Sequence, residues 1–304
     1  MEQPQCILEA KAELGEGPVW VAEENALYWT DIYGCLLNRL DVKTGVNRAW
    51  PVKDRLGSFA LCEGGGFIAA LHSGFAYLDV EAGTLSWVAR PLAADASVYL
   101  NDGRCDRSGR FYWAGTVDRS KVNKGGSLYR LSAQGTCSCV AADVVISSNG
   151  IAFSPDNTVL YYADSRGLVI WRFDHDPATG NISNRTLFAT IPEGEGFADG
   201  AAVDAEGCYW SARVFGGRIL RYRPDGAIDR DIHLPFQNPT MVAFGGPDLR
   251  TLYITTSRRN LDEEQLVLQK AGSVFAMRVD VPGLPEPRFQ IDPSLRSAAR
   301  ESIV

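Results

Sequence analysis

Short runs of alternating apolar and polar residues, rich in aromatic and β-branched side chains, recur along the chain between turns. An aromatic marker heads each unit: Leu27-Tyr28-Trp29, Phe67-Ile68, Phe111-Tyr112-Trp113, Leu160-Tyr161-Tyr162, Tyr209-Trp210 and Leu252-Tyr253-Ile254. Successive markers lie roughly 39–49 residues apart, within the range of repeat architectures. Before each marker comes a turn such as AEENA, DRSGR, SPDNT or DAEGC. After it comes a second alternating run (LLNRLDV, GSLYRLS, LVIWRFD) and another turn (KTG, AQG, DPATG, PDG). Asp, Asn, Ser and Gly in these turns suit left-handed and side-chain-capped conformations. Alternation at period two predicts strands. Only LDEEQLVLQ (261–269) departs from it and reads as a short helix or loop insertion in the last repeat.

Six units of three or four short strands predict an all-β fold, a six-bladed β-propeller forming a single domain over residues 1–304. One unit alone exposes both sheet faces; stacking units in a ring buries them and removes long open edges. Two β-sandwiches with coincidental spacing are the competing fold, disfavoured by six matched units. The apolar-alternating stretch near 6–14 fits an outer strand closing the last blade, and the tail at about 292–304 is expected to fray.

In a propeller the loop entering each innermost strand opens onto the central channel. Here those entries contain LGEGPVW, NDGRCD, SSNGIAF and FADGAAV, which set Glu16, Asp102, Asn149 and Asp199 directly before glycine. Asn101 stands beside them. Glycine lets the backbone approach the axis, so oxygen-bearing side chains from several blades converge on one mouth. Carboxylate and amide oxygens without thiolate or imidazole suit a hard divalent cation such as Ca²⁺, Mg²⁺ or Mn²⁺. Turn chemistry alone accounts for any single Asx-Gly pair; it is strained by four in register.

Composition narrows the chemistry. A net charge of −7 over 304 residues leaves no basic surface for nucleic acid, and Arg258-Arg259, the densest cationic cluster, is too small to act as a patch. No apolar run reaches membrane-spanning length. The N-terminus lacks the charged and apolar regions of a secretory signal, so a cytoplasmic protein is expected. Seven irregularly spaced cysteines fit no disulfide framework, and the CxC at Cys137 and Cys139 lacks further zinc ligands. The sequons at Asn181 and Asn184 matter only in a secreted chain. There is no GxSxG elbow, phosphate loop or dinucleotide fingerprint, and the three histidines are scattered. YWTD at 28–31 reads as ordinary strand sequence.

Taken in order, LGEGPVW, NDGRCDRSGRFYWAGT, GSLYRL, SNGIAFSPD, ADGAAVDAEG and FGGPDLRTLYITT resemble the SMP-30/gluconolactonase/LRE-like family, which includes regucalcin and bacterial sugar lactonases. The resemblance runs from about residue 13 to 281. It implies one catalytic divalent metal (Ca²⁺, Mg²⁺, Mn²⁺ or Zn²⁺) held by Glu16, Asn149 and Asp199, with Asn101 binding substrate and water. Some members carry Arg where this chain has Tyr99, so a cationic fork contacting sugar hydroxyls is replaced by a ring with one hydroxyl. The segment at 118–126 lies where the family has a loop over the pocket.

The activity this resemblance implies is hydrolysis of a small-molecule sugar lactone to the aldonic acid. The metal polarises the lactone carbonyl, while Asp199 both ligates it and takes a proton from the attacking water. A propeller esterase or phosphotriesterase of the same geometry, and a non-enzymatic metal-binding propeller, are the alternatives. Neither a nucleic acid nor a membrane is expected as partner; the chain is expected to be a monomer or weak homo-oligomer.

Overall fold

The computed structural model, which describes residues 3–92, 97–119 and 125–304, contains six antiparallel sheets that follow one another along the chain. Blade 1 comprises Gly15–Val21, Ala26–Asp31, Leu36–Asp41 and Asn47–Pro51; blade 2 begins with Leu56–Leu61, Phe67–Leu71, Gly74–Asp79 and Thr84–Ala89. Blade 3 is built from Val98–Cys105, Phe111–Asp118, Gly126–Ser132 and Cys137–Val145. Blade 4 follows with Ser148–Phe153, Val159–Asp164, Val169–Asp176 and Asn181–Thr190. Phe197–Val203, Tyr209–Val214, Arg218–Tyr222 and Ile228–His233 form blade 5. Pro239–Gly245, Thr251–Thr256 and Val274–Arg278 form blade 6, whose outer strand, Gln5–Leu8, comes from the N-terminus. Each inner strand packs on those of both neighbouring blades, blade 6 against blade 1 included, so the ring closes. This is a six-bladed β-propeller.

The aromatic markers are the mortar between blades. Tyr209 sits 5.1 Å from Tyr161 of blade 4, and Trp210 meets Phe244 of blade 6 edge-on at 5.5 Å. Trp20 stacks on Tyr253 across the blade 1–blade 6 junction at 5.4 Å. All are buried. Rings of this size fill the wedge between twisted sheets and supply most of its apolar contact area.

Both termini are tied into the ring. The N-terminal strand pairs only over Gln5–Leu8, and the chain beyond it crosses toward blade 1. The C-terminal tail, expected to fray, instead adds a fifth strand, Arg300–Ser302, to the outer edge of blade 2. Ile303 is its anchor: the side chain is buried, its N–H donates to the Gly83 carbonyl and its carbonyl accepts from Lys53 N–H. With Leu295 packed on the blade 2–3 core upstream of it, one buried residue suffices to seat the strand on a blade edge that offers unpaired backbone groups.

Between blade 6 and this added strand the chain straps across one face. It bridges Asp204 to Gly283 and Cys62 to Phe289, and it buries Phe289 completely. The strap carries Glu286, which pairs with the buried Arg104. Arg104 also donates to the carbonyls of Ile151 at 3.0 Å and Ala201 at 2.7 Å, stoppering that end of the channel. The strap touches the ends of the inner strands, so the cavity built from their beginnings opens on the opposite face. The insertion at 261–269 contains a helix over Glu263–Leu268, capped by Asp262. All seven cysteines are free thiols, and no helix among the described residues is long and apolar enough to cross a membrane.

Candidate metal and substrate site

In every blade the inner strand loses register with its neighbour near its start. The irregularities fall between Glu16 and Val19, Leu56 and Ser58, Leu100 and Gly103, Asn149 and Ala152, Ala198 and Ala201, and Pro239 and Met241. Such bulges re-aim side chains, and in blades 1, 3, 4 and 5 they coincide with the glycine-flanked candidates. Gly150 has φ +58°, and a Cβ there would fall 2.2 Å from the Tyr209 hydroxyl. Gly200 needs its bare Cα for a different reason: an added Cβ would lie 2.2 Å from Cγ of Met241.

The result is one cavity of about 290 Å³ at the mouth of the channel, lined by Glu16, Tyr99, Asn101, Asn149 and Asp199 among others. Five of the six residues singled out in the sequence therefore face the same space. Asp102, counted with them there, does not line it. Its carboxylate turns into the ring and accepts from Ile151 N–H at 2.9 Å. Burial pushes the Asp102 carboxyl up to about 6, against the pull of that N–H and of Arg104.

Glu16 and Asp199 are buried, at 8% and 9% exposure, and hold no cationic ion-pair partner among the described residues. Burial, and then the charges of Asp199 and Asp102, push the Glu16 carboxyl well up; Asp199 is raised by burial and by Asp102, with Arg259 opposing. Two such carboxylates beside one cavity constitute an uncompensated negative site.

Asn149 is fixed by a chain of hydrogen bonds. Its Nδ2 donates to Ser165 Oγ at 2.7 Å, and Ser165 Oγ donates on to the Ala198 carbonyl at 2.6 Å, one residue before Asp199. Asn101 Nδ2 donates to Asn149 Oδ1 at 2.9 Å and to the Ser148 carbonyl at 2.9 Å. Oδ1 keeps a second lone pair for a ligand. The loops entering blades 1 and 4 are clamped by aspartates ending the second strands. Asp31 accepts from the N–H groups of Glu13, Leu14 and Gly34, and Asp164 does the same for Ile146, Ser147 and Gly167. Reading YWTD as ordinary strand sequence passed over this device; its signal was the shared Asp of YWTD and YYAD.

Tyr99 stacks on His72 at 5.0 Å with the rings 16° apart, and burial pushes its phenol up. Four arginines line the same cavity, Arg55, Arg119, Arg166 and Arg259, the last belonging to the Arg258-Arg259 pair set aside from the sequence as too small to form a patch. Of the segment at 118–126, residues 120–124 lie outside the described residues.

A sequence profile described as "SMP-30/Gluconolactonase/LRE-like region" matches residues 14–258. The chain belongs to this family. A 6-deoxy-6-sulfogluconolactonase from Pseudomonas putida is 45% identical to this member over 291 residues, 95% of this chain and 99% of its own. A pentonolactonase from Haloferax volcanii is 33% identical, covering 94% and 97%. Among solved structures, the calcium-binding protein regucalcin from Agrobacterium tumefaciens superposes with a TM-score of 0.89 at 28% identity, over 95% of this chain and 98% of that one.

Proposed function

We propose that this family member hydrolyses a sugar lactone, an aldono-1,4- or 1,5-lactone, to the open aldonic acid with the help of one divalent cation. A hydrolase of the lactonase class is what its relatives are named as. The observation that carries the reading is the donor set: two buried carboxylates, Glu16 and Asp199, and the oriented amide oxygen of Asn149 face one cavity. This set fits a divalent cation, because the carboxylates are raised by burial and neighbouring negative charge, which a +2 ion relieves. All donors are oxygens, which suits Ca²⁺, Mg²⁺ or Mn²⁺. Glu16, Asn149 and Asp199 would hold the ion, which supplies Lewis acidity toward the lactone carbonyl.

The chain's own groups do the rest. Asn101, held by Asn149 and Ser148, hydrogen-bonds the sugar, as does the Tyr99 hydroxyl. An Asp199 oxygen takes the proton of the attacking water as its oxygen bonds to the carbonyl carbon. The ring C–O bond then breaks, that proton passes to the departing ring oxygen, and the product is a hydroxy acid that releases one proton at neutral pH. The test is Asp199→Asn. A loss of at least ~10³-fold in kcat is expected, in line with removal of one key electrostatic group. Retention of more than a tenth of wild-type turnover with the cation bound would sink the base role.

A further inference from the structure

Resting on that reading, we propose that the preferred lactone carries a terminal anionic group of the sulfonate or phosphate type, received by an arginine cluster on the cavity wall. Arg55, Arg119, Arg166 and Arg259 all line the cavity, whose only acidic lining residues among the described ones are Glu16 and Asp199. In a chain of net charge −7, so many cations around one cavity run against the overall balance. A divalent ion on the two carboxylates leaves the guanidinium charges uncompensated around the cavity mouth, where Arg55, Arg119 and Arg166 are exposed and Arg259 is half-buried.

The arginines are also held in a way that keeps their donors free. Arg55 and Arg259 lie over the Tyr33 ring at 4.6 and 5.2 Å, and Arg119 over the Tyr99 ring at 5.7 Å. Tyr99 feels the charges of Arg119, Arg259 and Arg55 together, so these three form one cluster. None of the four makes an ion pair with a carboxylate among the described residues. Stacking restrains the guanidinium plane and leaves its N–H edge for a ligand. A planar donor fork matches paired oxygens of sulfonate or phosphate; a neutral sugar offers hydroxyls, which need no cation. The charge absent at Tyr99 is thus supplied by blade 1 to blade 2, blade 3 and blade 6 loops, and it recognises an anion at the end of the sugar away from the lactone carbonyl.

The experiment compares proton release from glucono-1,5-lactone with its 6-phosphate, its C6-sulfonate and the corresponding C6-carboxylate, using wild type, Arg55→Ala, Arg119→Ala and Arg259→Ala. Wild type is expected to favour the sulfonate or phosphate over the neutral lactone by at least ~10-fold in kcat/KM, the worth of one charged contact. The preference is expected to lie mainly in KM, to weaken with added salt, and to fall in each variant. The two tetrahedral anions are separated by which lactone gives the larger ratio. A neutral lactone hydrolysed as efficiently as the anionic ones overturns the inference and leaves the lactonase reading intact. If no lactone is hydrolysed, the lactonase reading fails, and calorimetric binding of 6-sulfogluconate or 6-phosphogluconate against gluconate still decides: equal affinity for charged and neutral acids overturns the anion site.

Discussion

Replacing Ser165 with alanine removes one oxygen from the relay that orients Asn149. Two bonds go with it, the 2.7 Å bond from Asn149 Nδ2 and the 2.6 Å bond to the Ala198 carbonyl. Ser165, Asn149 and Ala198 are all buried, so two polar groups lose their partner out of reach of bulk solvent. Each unsatisfied group costs about 1–3 kcal/mol, which caps the loss of stability at a few kcal/mol and leaves a folded protein. The functional effect is separable. Without Ser165 the Asn149 amide is held, among the described residues, only by the Asn101 Nδ2 bond to its oxygen, and rotation against that bond would exchange the oxygen for a nitrogen that cannot ligate a cation. Outer partners of metal ligands are typically worth ~10–100-fold in affinity, or about 1.4–2.8 kcal/mol. Calorimetric titration of the chelated protein with Ca²⁺ and Mn²⁺ measures this, with thermal unfolding alongside. Ser165→Thr, which keeps the hydroxyl, is expected to recover most of the affinity. An alanine variant that is folded and binds cation within twofold of wild type refutes the relay.

His175 offers a pH prediction away from the cavity. Its ring packs between Trp113 and Phe153, Nδ1–H donates to the Asn157 carbonyl at 2.7 Å, and burial lowers its pKa despite nearby Asp106 and Asp176. Because the unfolded chain takes up the proton first, this contribution to stability is complete above about pH 6.5 and is lost as pH falls toward the lowered value. Its slope is at most about 1.4 kcal/mol per pH unit. Denaturant midpoints from pH 7.5 to 5 should fall less steeply in His175→Gln; parallel curves would remove His175 from the account. Deleting residues 300–304 strips Ile303 from its buried seat and unpairs the edge of blade 2. About 1.5–3 kcal/mol of stability should go, the worth of one buried aliphatic side chain, while turnover persists. An unchanged unfolding midpoint would mean the fifth strand contributes nothing.

The ring was readable because its signal is redundant. Tyr28, Tyr112, Tyr161, Tyr209 and Tyr253 mark the second strand of five blades, with Phe67 taking that place in blade 2, and each is buried where sheets meet. Glycine after Glu16, Asn149 and Asp199 was equally readable, since a bulge at the axis leaves no room for a Cβ at Gly150 or Gly200. Side chains that act through partners distant in sequence were not. Ser165 matters only because folding sets Asn149 and Ala198 on either side of it, and a serine after a strand carries no label. Asp102 shared the Asp-Gly pattern of Asp199, yet alternation within the inner strand turns its carboxylate toward Ile151. The arginine cluster escaped for the same reason, although Arg259 was noted beside Arg258 as a pair too small to form a patch. Arg55, Arg119, Arg166 and Arg259 stand on loops of different blades, so no linear window contains more than one of them. The tail misled because its apolar anchors, Leu295 and Ile303, are isolated among polar and small residues.

The central claim is that lactone hydrolysis depends on a divalent cation held by Glu16, Asn149 and Asp199. Its most direct test is the rate of proton release from a panel of aldonolactones after exhaustive chelation, then after adding back Ca²⁺, Mg²⁺, Mn²⁺ or Zn²⁺ singly. The account predicts that hydrolysis falls to the uncatalysed rate on chelation and returns with at least one of these ions. Undiminished hydrolysis by the verified metal-free protein would contradict it.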